Sequence, residues 1–497
     1  MLVVVLMLTV WLAKRKTWTA ATVRAGSISR LAIVRIRRRF LAAVAIIAML
    51  AVSACSSSDD GAAVSSSVIP SSTLPTETVS PAPTASTSIP STTAEPTAGP
   101  WRADTTSCVN PAEATAPIES TVQVGIVAPG GAGINAAVNA GYVEGFQAAI
   151  AASNAANRST GVLIEVLVGD DAGDATATPA IVEQLISDGA DLFSGVVGTG
   201  SNAAIRSELN DRCIPQLNVI SSAPTWDLPS QWPWTTSGVP SSSVEVSAYA
   251  DDLDRMVGPT ATIAVLYTDN DAGRQYLGDA QSAFGSDRVI AGQATDPANQ
   301  IDQAAAAGAI AAARPDAVLL APSSVGCSTA ITALAATFTA DWKPRVYLSR
   351  GCAGRVVFQL TGAVADGLLT AAHVRDVIAA PNAASPIPTE FVAAFPDQRS
   401  VTARENAALG WYIGELTAAI IAQAAAMPDG LTRASIINAA RAARIEPALA
   451  VAGNVFATDG LIDPVGAQTV QVVQWSANSA GFAAVGEPHE AVLSAEG

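Results

Sequence analysis

From Thr121 onward the chain alternates short β-branched runs with longer runs whose apolar residues recur at helical spacing. No other feature constrains the fold as much. A strand followed by a helix and then by another strand is built into a parallel sheet, and such sheets are stable only when helices cover both faces. Residues 122–127, 162–168, 192–197 and 216–220 read as four strands, with helices over 142–153, 181–187 and 201–210. A second series begins after Pro240, with strands over 262–267, 289–292, 317–320 and 346–348 and helices over 272–284 and 301–313. Between the two, Ser222 to Ser243 is rich in Pro, Ser and Trp without a period of its own, and it reads as a crossover. A late helix over 404–426 and a strand-like run over 469–475 would complete the sheets if the chain crosses again.

Roughly four hundred residues follow the low-complexity stretch that ends near Pro100, more than one core usually supports. The expected class is α/β, two Rossmann-like lobes of parallel sheet covered by helices and joined by a multi-strand hinge. The expected division is 118–239 plus about 368–450 for the first lobe, 240–367 plus about 451–480 for the second, and a polar tail over 481–497. Open parallel sheets bind ligands beyond the carboxyl ends of their strands, so two facing sheets share a site in the cleft between them.

The amino terminus points to export. Arg35, Arg37, Arg38 and Arg39 precede an apolar stretch, Leu41 to Val52, of signal-peptide length and too short to span a bilayer. Val52-Ser53-Ala54-Cys55 resembles a lipobox, in which small residues admit the peptidase and the Cys55 thiol receives a diacylglycerol. Residues 1–54 are then a signal region, and lipidated Cys55 anchors the protein on the extracytoplasmic face of the membrane. A second apolar stretch, Met1 to Ala13, has no obvious use, so translation is expected to start further downstream. Residues 56–100 are nearly all Ser, Thr, Pro, Ala and Gly and cannot bury enough apolar surface to offset the entropy of ordering. They read as a disordered tether, which as a flexible coil would reach roughly 35–40 Å.

The net charge is −16, and nine of the 27 Lys and Arg lie in the signal region without an acid among them, so the exported part is more acidic still. Nucleic acid is excluded as a partner. Four cysteines remain beyond Cys55, and an even number in an exported protein argues for disulfides. The expected pairs are Cys108 with Cys213 and Cys327 with Cys352, the second joining the starts of two loops after neighbouring strands. No metal or cofactor is expected, since there is no CxxC spacing and the histidines are only His373 and His489. Asp170-Asp171 and Asp269-Asn270-Asp271 lack calcium-loop spacing and read as helix caps.

Several segments in order carry a resemblance: Val124-Gly125-Ile126-Val127, then Gly145-Phe146-Gln147-Ala148-Ala149, Gly169-Asp170-Asp171-Ala172 and Ser187-Asp188-Gly189. They continue with Ile220-Ser221-Ser222-Ala223-Pro224-Thr225 and with Asp459-Gly460 ahead of Val472-Val473-Gln474-Trp475. Together they resemble the type I periplasmic binding proteins, and among them the leucine/isoleucine/valine-binding family of branched-chain amino acid ABC transporters. The resemblance implies that the first lobe holds a ligand carboxylate with backbone N–H groups and hydroxyls at helix starts. Thr199 and Ser201 are the matching positions after the third strand, and Ser222, Ala223 and Thr225 after the fourth. Thr199 and Ser201 also read as plain helix caps, and Thr225 as a turn hydroxyl. In the second lobe the resemblance implies an aromatic or polar residue after one strand, where Ser323 falls, and a carboxylate after the next, where Arg350 stands instead. A guanidinium there repels an ammonium and favours an anion, unless Arg350 points to solvent, pairs with a nearby acid, or the alignment slips by a residue.

The implied function is capture of a small polar or anionic solute by a monomer that delivers it to an ABC permease. The alternative is a ligand sensor of the same fold that signals to a partner protein. An enzyme is not expected, because no Gly-x-Ser-x-Gly motif occurs and neither histidine is placed near a candidate serine. The resemblance implies that the loop from Pro129 to Asn139 closes over the ligand, where its Gly-Gly-Ala-Gly run would let backbone approach a solute; it reads equally as a mobile turn. Gly198-Thr199-Gly200 is not a dinucleotide fingerprint, since Ala203 stands where the third glycine belongs. Trp226, Trp232 and Trp234 read as packing at the hinge, with stacking on an aromatic ligand as the alternative.

Overall fold

The β-branched runs form strands and the periodic runs form helices in the computed structural model, which describes residues 101–130, 134–159, 161–323, 326–378, 387–396 and 401–491. The signal region, the lipobox at Cys55 and the tether lie outside the described residues. Strands β1 (Thr121–Val127), β2 (Leu163–Gly169), β3 (Leu192–Ser194), β4 (Gln216–Val219) and β5 (Thr235–Ser237) make one sheet in the order β2-β1-β3-β4-β5, parallel throughout. An isolated parallel bridge between Val197 and Ile220 lies just past β3 and β4, which is why the apolar runs there outlast the ladders. β5 falls inside the segment read as a structureless crossover. Its residues, Thr-Thr-Ser, are all buried, and Thr235 donates to Gln216 Oε1 at 3.1 Å, so no apolar alternation announces the strand.

The second sheet contains β6 (Ile263–Thr268), β7 (Val289–Thr295), β8 (Ala317–Ala321), β9 (Arg345–Leu348) and β10 (Leu369–Ala372). After the small pair β11 (Arg444–Ile445) and β12 (Phe456–Ala457), the chain adds β13 (Thr469–Ser476) and β14 (Gly481–Ala484), giving the order β14-β13-β10-β9-β8-β6-β7. β13 runs antiparallel to β10, and β15 (His489–Glu490) pairs with it. Both faces are covered: Ile263 and Val265 pack with Val244, Tyr249 and Leu253 on one side, and Ala264 and Leu266 with Ile310, Val318 and Leu334 on the other.

Three expected boundaries move. Residues 369–372 belong to the second sheet, because β10 pairs with β9 and β13, so the return to the first lobe comes after position 372 and not at 368. Phe456 and Ala467 are buried in the first core, so the final crossing comes just before β13 and not at 451. The supposed tail over 481–497 supplies β14 and β15, strands of four and two residues that are too short to show a period.

The first lobe is built on helices Ile134–Ala155 and Val401–Ala425, whose backbones touch. A Cβ on Gly145 would lie 2.1 Å from the Ala407 carbonyl oxygen, and one on Gly410 only 1.9 Å from that of Tyr142. Glycine is required here for the close approach. Cys108–Cys213 staples the segment before β1 to the first lobe, and Cys327–Cys352 closes the second lobe, the two expected pairings, with Cα separations of 5.6 and 5.3 Å.

Candidate functional site

In both sheets the strand order reverses beside the first strand of the series, β1 next to β3 and β6 next to β8, and ligands of open parallel sheets bind beyond the carboxyl ends at such a point. Thr199 follows β3 and begins helix Thr199–Asp211, while Ser323 follows β8. The sequence therefore placed both at the corresponding ends.

In the first lobe Thr199 is exposed, and its hydroxyl lies 2.8 Å from that of Ser221. Ser221 also accepts the Ala223 N–H at 3.2 Å, so this buried serine, which sequence reasoning passed over, gathers two expected anchor segments. Ser201 behaves differently. It is buried and donates to Asp171 at 2.7 Å, and Asp171 also accepts Thr178 Oγ1 and the Gly173 N–H. Ser201 is thus committed to an internal hub that fixes the helix start. Asp170 accepts the N–H groups of Ala172 and Gly130, which hold its carboxyl below the usual range and tie the loop after β1 to the loop after β2. Of the expected closing loop, residues 131–133 lie outside the described residues, and a helix starts at Ile134.

Thr225 is exposed, and its carbonyl accepts Arg206 Nη1 at 3.0 Å. Arg206 lies against two indoles, 4.8 Å from the Trp226 centroid and 4.2 Å from that of Trp232. Trp226 and Trp234 are each 1% exposed and pack the crossover, while Trp232 is half-buried. The Ser222 carbonyl accepts from the backbone N–H and hydroxyl of Ser242, tying the anchor segment to the start of helix Ser242–Met256.

In the second lobe the Ser323 N–H donates to Thr268 Oγ1 at 2.7 Å and its hydroxyl to Gln300 at 3.2 Å. Arg350 is half-buried at the junction of the lobes. Its backbone N–H donates to Glu245 at 2.9 Å, its Nη2 to the Pro240 carbonyl at 2.9 Å, and its Nη1 lies 3.5 Å from His373 Nδ1. Among the described residues the guanidinium has no carboxylate within ion-pair distance, so neither pairing with an acid nor full exposure describes it. Glu245 is buried and accepts the phenols of Tyr249 and Tyr276, each at 3.2 Å; burial outweighs Arg350 and raises its carboxyl to about 7. The Ser222 hydroxyl faces the same Tyr276 phenol. His373 and Tyr412 meet edge to face at 5.4 Å beside Arg350; burial and then the nearby cation keep His373 neutral, and burial raises the Tyr412 phenol.

Glu245, Tyr276, His373 and Tyr412 were not singled out from sequence. They come from four separate elements, and no local spacing marks residues that meet only through the tertiary fold.

The acidic runs are caps and turns. Asn270 accepts the Gly273 N–H at the start of helix Asp271–Phe284, and Arg274 pairs with Asp269 and Asp271. Among the described residues no group of three or more His, Cys, Asp or Glu could hold a metal ion. One expectation is overturned: His489 does lie beside a serine. Its Nε2 is 2.9 Å from Ser247 Oγ and its Nδ1 2.7 Å from Asp251. Ser247 donates to the Val244 carbonyl at 2.8 Å, so its proton belongs to the helix, and the imidazole ties β15 to helix Ser242–Met256.

A family model described as periplasmic binding protein matches residues 121–481. The chain belongs to the periplasmic binding protein family. Its fold is that of the type I members, as solved structures bear out. A branched-chain amino acid ABC transporter protein from Thermus thermophilus with bound valine superimposes with a TM-score of 0.63 at 16% identity, over 75% of this chain and 98% of that one. A fatty acid ABC transporter substrate-binding protein from Thermomonospora curvata gives 0.61 at 16% identity, over 75% and 93%. A solute-binding protein from R. palustris in complex with benzoate gives 0.58 at 19% identity, over 74% and 96%. No curated protein matches the sequence significantly. No helix among the described residues is long and apolar enough to cross a membrane.

Proposed function

We propose that this binding protein captures a small solute bearing a carboxylate or similar anionic group between its lobes and delivers it to an ABC permease. In this reading it works as a monomer tethered to the membrane by lipidated Cys55. The observation that carries the reading is Arg350, a half-buried guanidinium with no carboxylate partner among the described residues. A cation in that position disfavours an ammonium and gains from an anion, for which its planar donor fork is suited. Thr199, Ser222, Ala223 and Thr225 frame the first-lobe side, and Ser323 the second. The related structures support an open choice within this class, since those named above carry valine or benzoate or are described for fatty acids.

The test is a thermal-shift screen of the domain from Trp101 onward against amino acids, dicarboxylates, aromatic acids, amides and polyamines, since a ligand bound only by the folded state raises the melting temperature. Stabilisation by a carboxylate without an ammonium, lost in Arg350→Ala, is expected. Stabilisation by leucine or valine that survives this substitution would remove Arg350 from the site and with it the anionic preference.

A further inference from the structure

Arg355 opens helix Arg355–Thr361 of the second lobe, three residues beyond the half-cystine Cys352 and five beyond Arg350. Only 4% of its side chain is exposed. Two rings and a backbone carbonyl of the second lobe hold that side chain, and a carboxylate on the connection back to the first lobe pairs with it. Nη2 pairs with Asp376 at 2.5 Å, Nε donates to the Ala480 carbonyl at 3.4 Å, and the guanidinium lies 5.6 and 5.4 Å from the ring centroids of Trp475 and Phe482. Asp376 lies on the connection that leaves β10 for the first lobe, between Val374 and Val377, which pack on the first-lobe core, and it also accepts the Phe482 N–H at 3.4 Å. Trp475 lies on β13 and Phe482 on β14, so both rings belong to the second sheet.

The remaining partner lies in the body of the first lobe. Glu405 sits on helix Val401–Ala425, two residues before Ala407, where that helix touches Gly145 in the first lobe. Its Oε1 accepts Arg355 Nη1 at 3.0 Å, and its Oε2 accepts the Arg355 backbone N–H at 3.2 Å. Both oxygens of a first-lobe carboxylate are therefore engaged by one second-lobe residue.

We propose that Arg355 and Glu405 form a catch that holds the lobes together and thereby positions the Arg350 segment against the first lobe. An arginine already oriented by one lobe loses little freedom when it receives a carboxylate from the other, so the attraction favours the joined arrangement. The same short segment, stapled at Cys352, carries Arg350 at one end and Arg355 at the other. Closing the catch fixes where Arg350 points, and separating Glu405 from Arg355 frees that segment along with the lobe. The catch rests on contacts between the lobes and does not depend on the identity or charge of the solute.

Spin labels at Ser207→Cys in the first lobe and Ser282→Cys in the second would report the separation of the lobes by pulsed electron resonance on the full chain without added solute. The unsubstituted pair is expected to give one dominant distance. Glu405→Ala should shift most of the distribution to longer distances, and Glu405→Gln, which keeps shape but not charge, should shift part of it. Thermal melts establish that each variant folds, and Glu405→Gln carries the reading should the alanine variant fail to do so. A folded variant that keeps the dominant distance would overturn the proposal. Because no solute is added, that result would leave the reading of Arg350 untouched, and a failed solute screen would leave the catch standing.

Discussion

Glu245 accepts two phenols and one backbone N–H, and these donors together with the Arg350 guanidinium favour its carboxylate, but burial outweighs them and favours the neutral acid. Its carboxyl rises from 4.5 to about 7, chiefly through burial. Between those values the folded protein keeps the proton that the unfolded chain releases, so stability is highest below about 4.5 and declines as pH rises through about 7. The decline attributable to this group is on the order of 3 kcal/mol. Glu245→Gln keeps the shape and removes the titration, so urea midpoints measured from pH 5 to 8 should fall less steeply than in the parent protein; identical slopes would mean that another group carries the dependence. At this scale the sequence revealed what lies at strand ends, Thr199 and Ser323, and it flagged Arg350 as out of pattern. For Ser201 the sequence left a ligand and a helix cap open, and its contact with Asp171 was not legible because that hub forms only when one loop and two helix starts are folded together.

Helices and strands whose side chains face a core on a regular period were legible at the level of elements. β1, β4, β6, β8 and the late helix lie within a few residues of where periodicity put them, since burial imposes the pattern directly. β5, β14 and β15 were missed because strands of two to four residues join a sheet through backbone bonds and are too short to show an alternation, even where β14 brings Phe482 onto the core. The helix pair of the first lobe carries a second signal. Gly141 and Gly145 on one helix and Gly410 and Gly414 on the other repeat at four-residue spacing, and each would drive a Cβ to within 3 Å of a neighbouring atom. Gly410→Ala should separate the helices and destabilise the lobe by about 1–3 kcal/mol in urea unfolding, the usual range for an overpacked core. Gly278→Ala is the control, since a Cβ there meets nothing within 4 Å and the added methyl should stabilise its helix by about 0.4–1 kcal/mol. Equal effects at the two positions would mean that the backbone contact does not limit the pair.

The two lobes of the molecule share no sheet, and each has its own disulfide, so covalent reinforcement is divided between them. Cys327 and Cys352 are 25 residues apart, and in the chain-entropy account a loop of that size contributes about 3.5 kcal/mol to the second lobe alone. The buried indoles are unevenly placed too: Trp226, Trp234 and Trp411 lie in the first lobe, against Trp342 and Trp475 in the second. Tryptophan fluorescence therefore weights the first lobe, whereas far-ultraviolet circular dichroism follows both. In a Cys327→Ser, Cys352→Ser variant the second lobe should unfold at lower urea, and the dichroism midpoint should fall below that from fluorescence. If the two midpoints stay together while both drop, the lobes unfold as one unit. The contacts across the junction, with Arg355 and Glu405 among them, would then couple the cores more strongly than 3.5 kcal/mol can separate them.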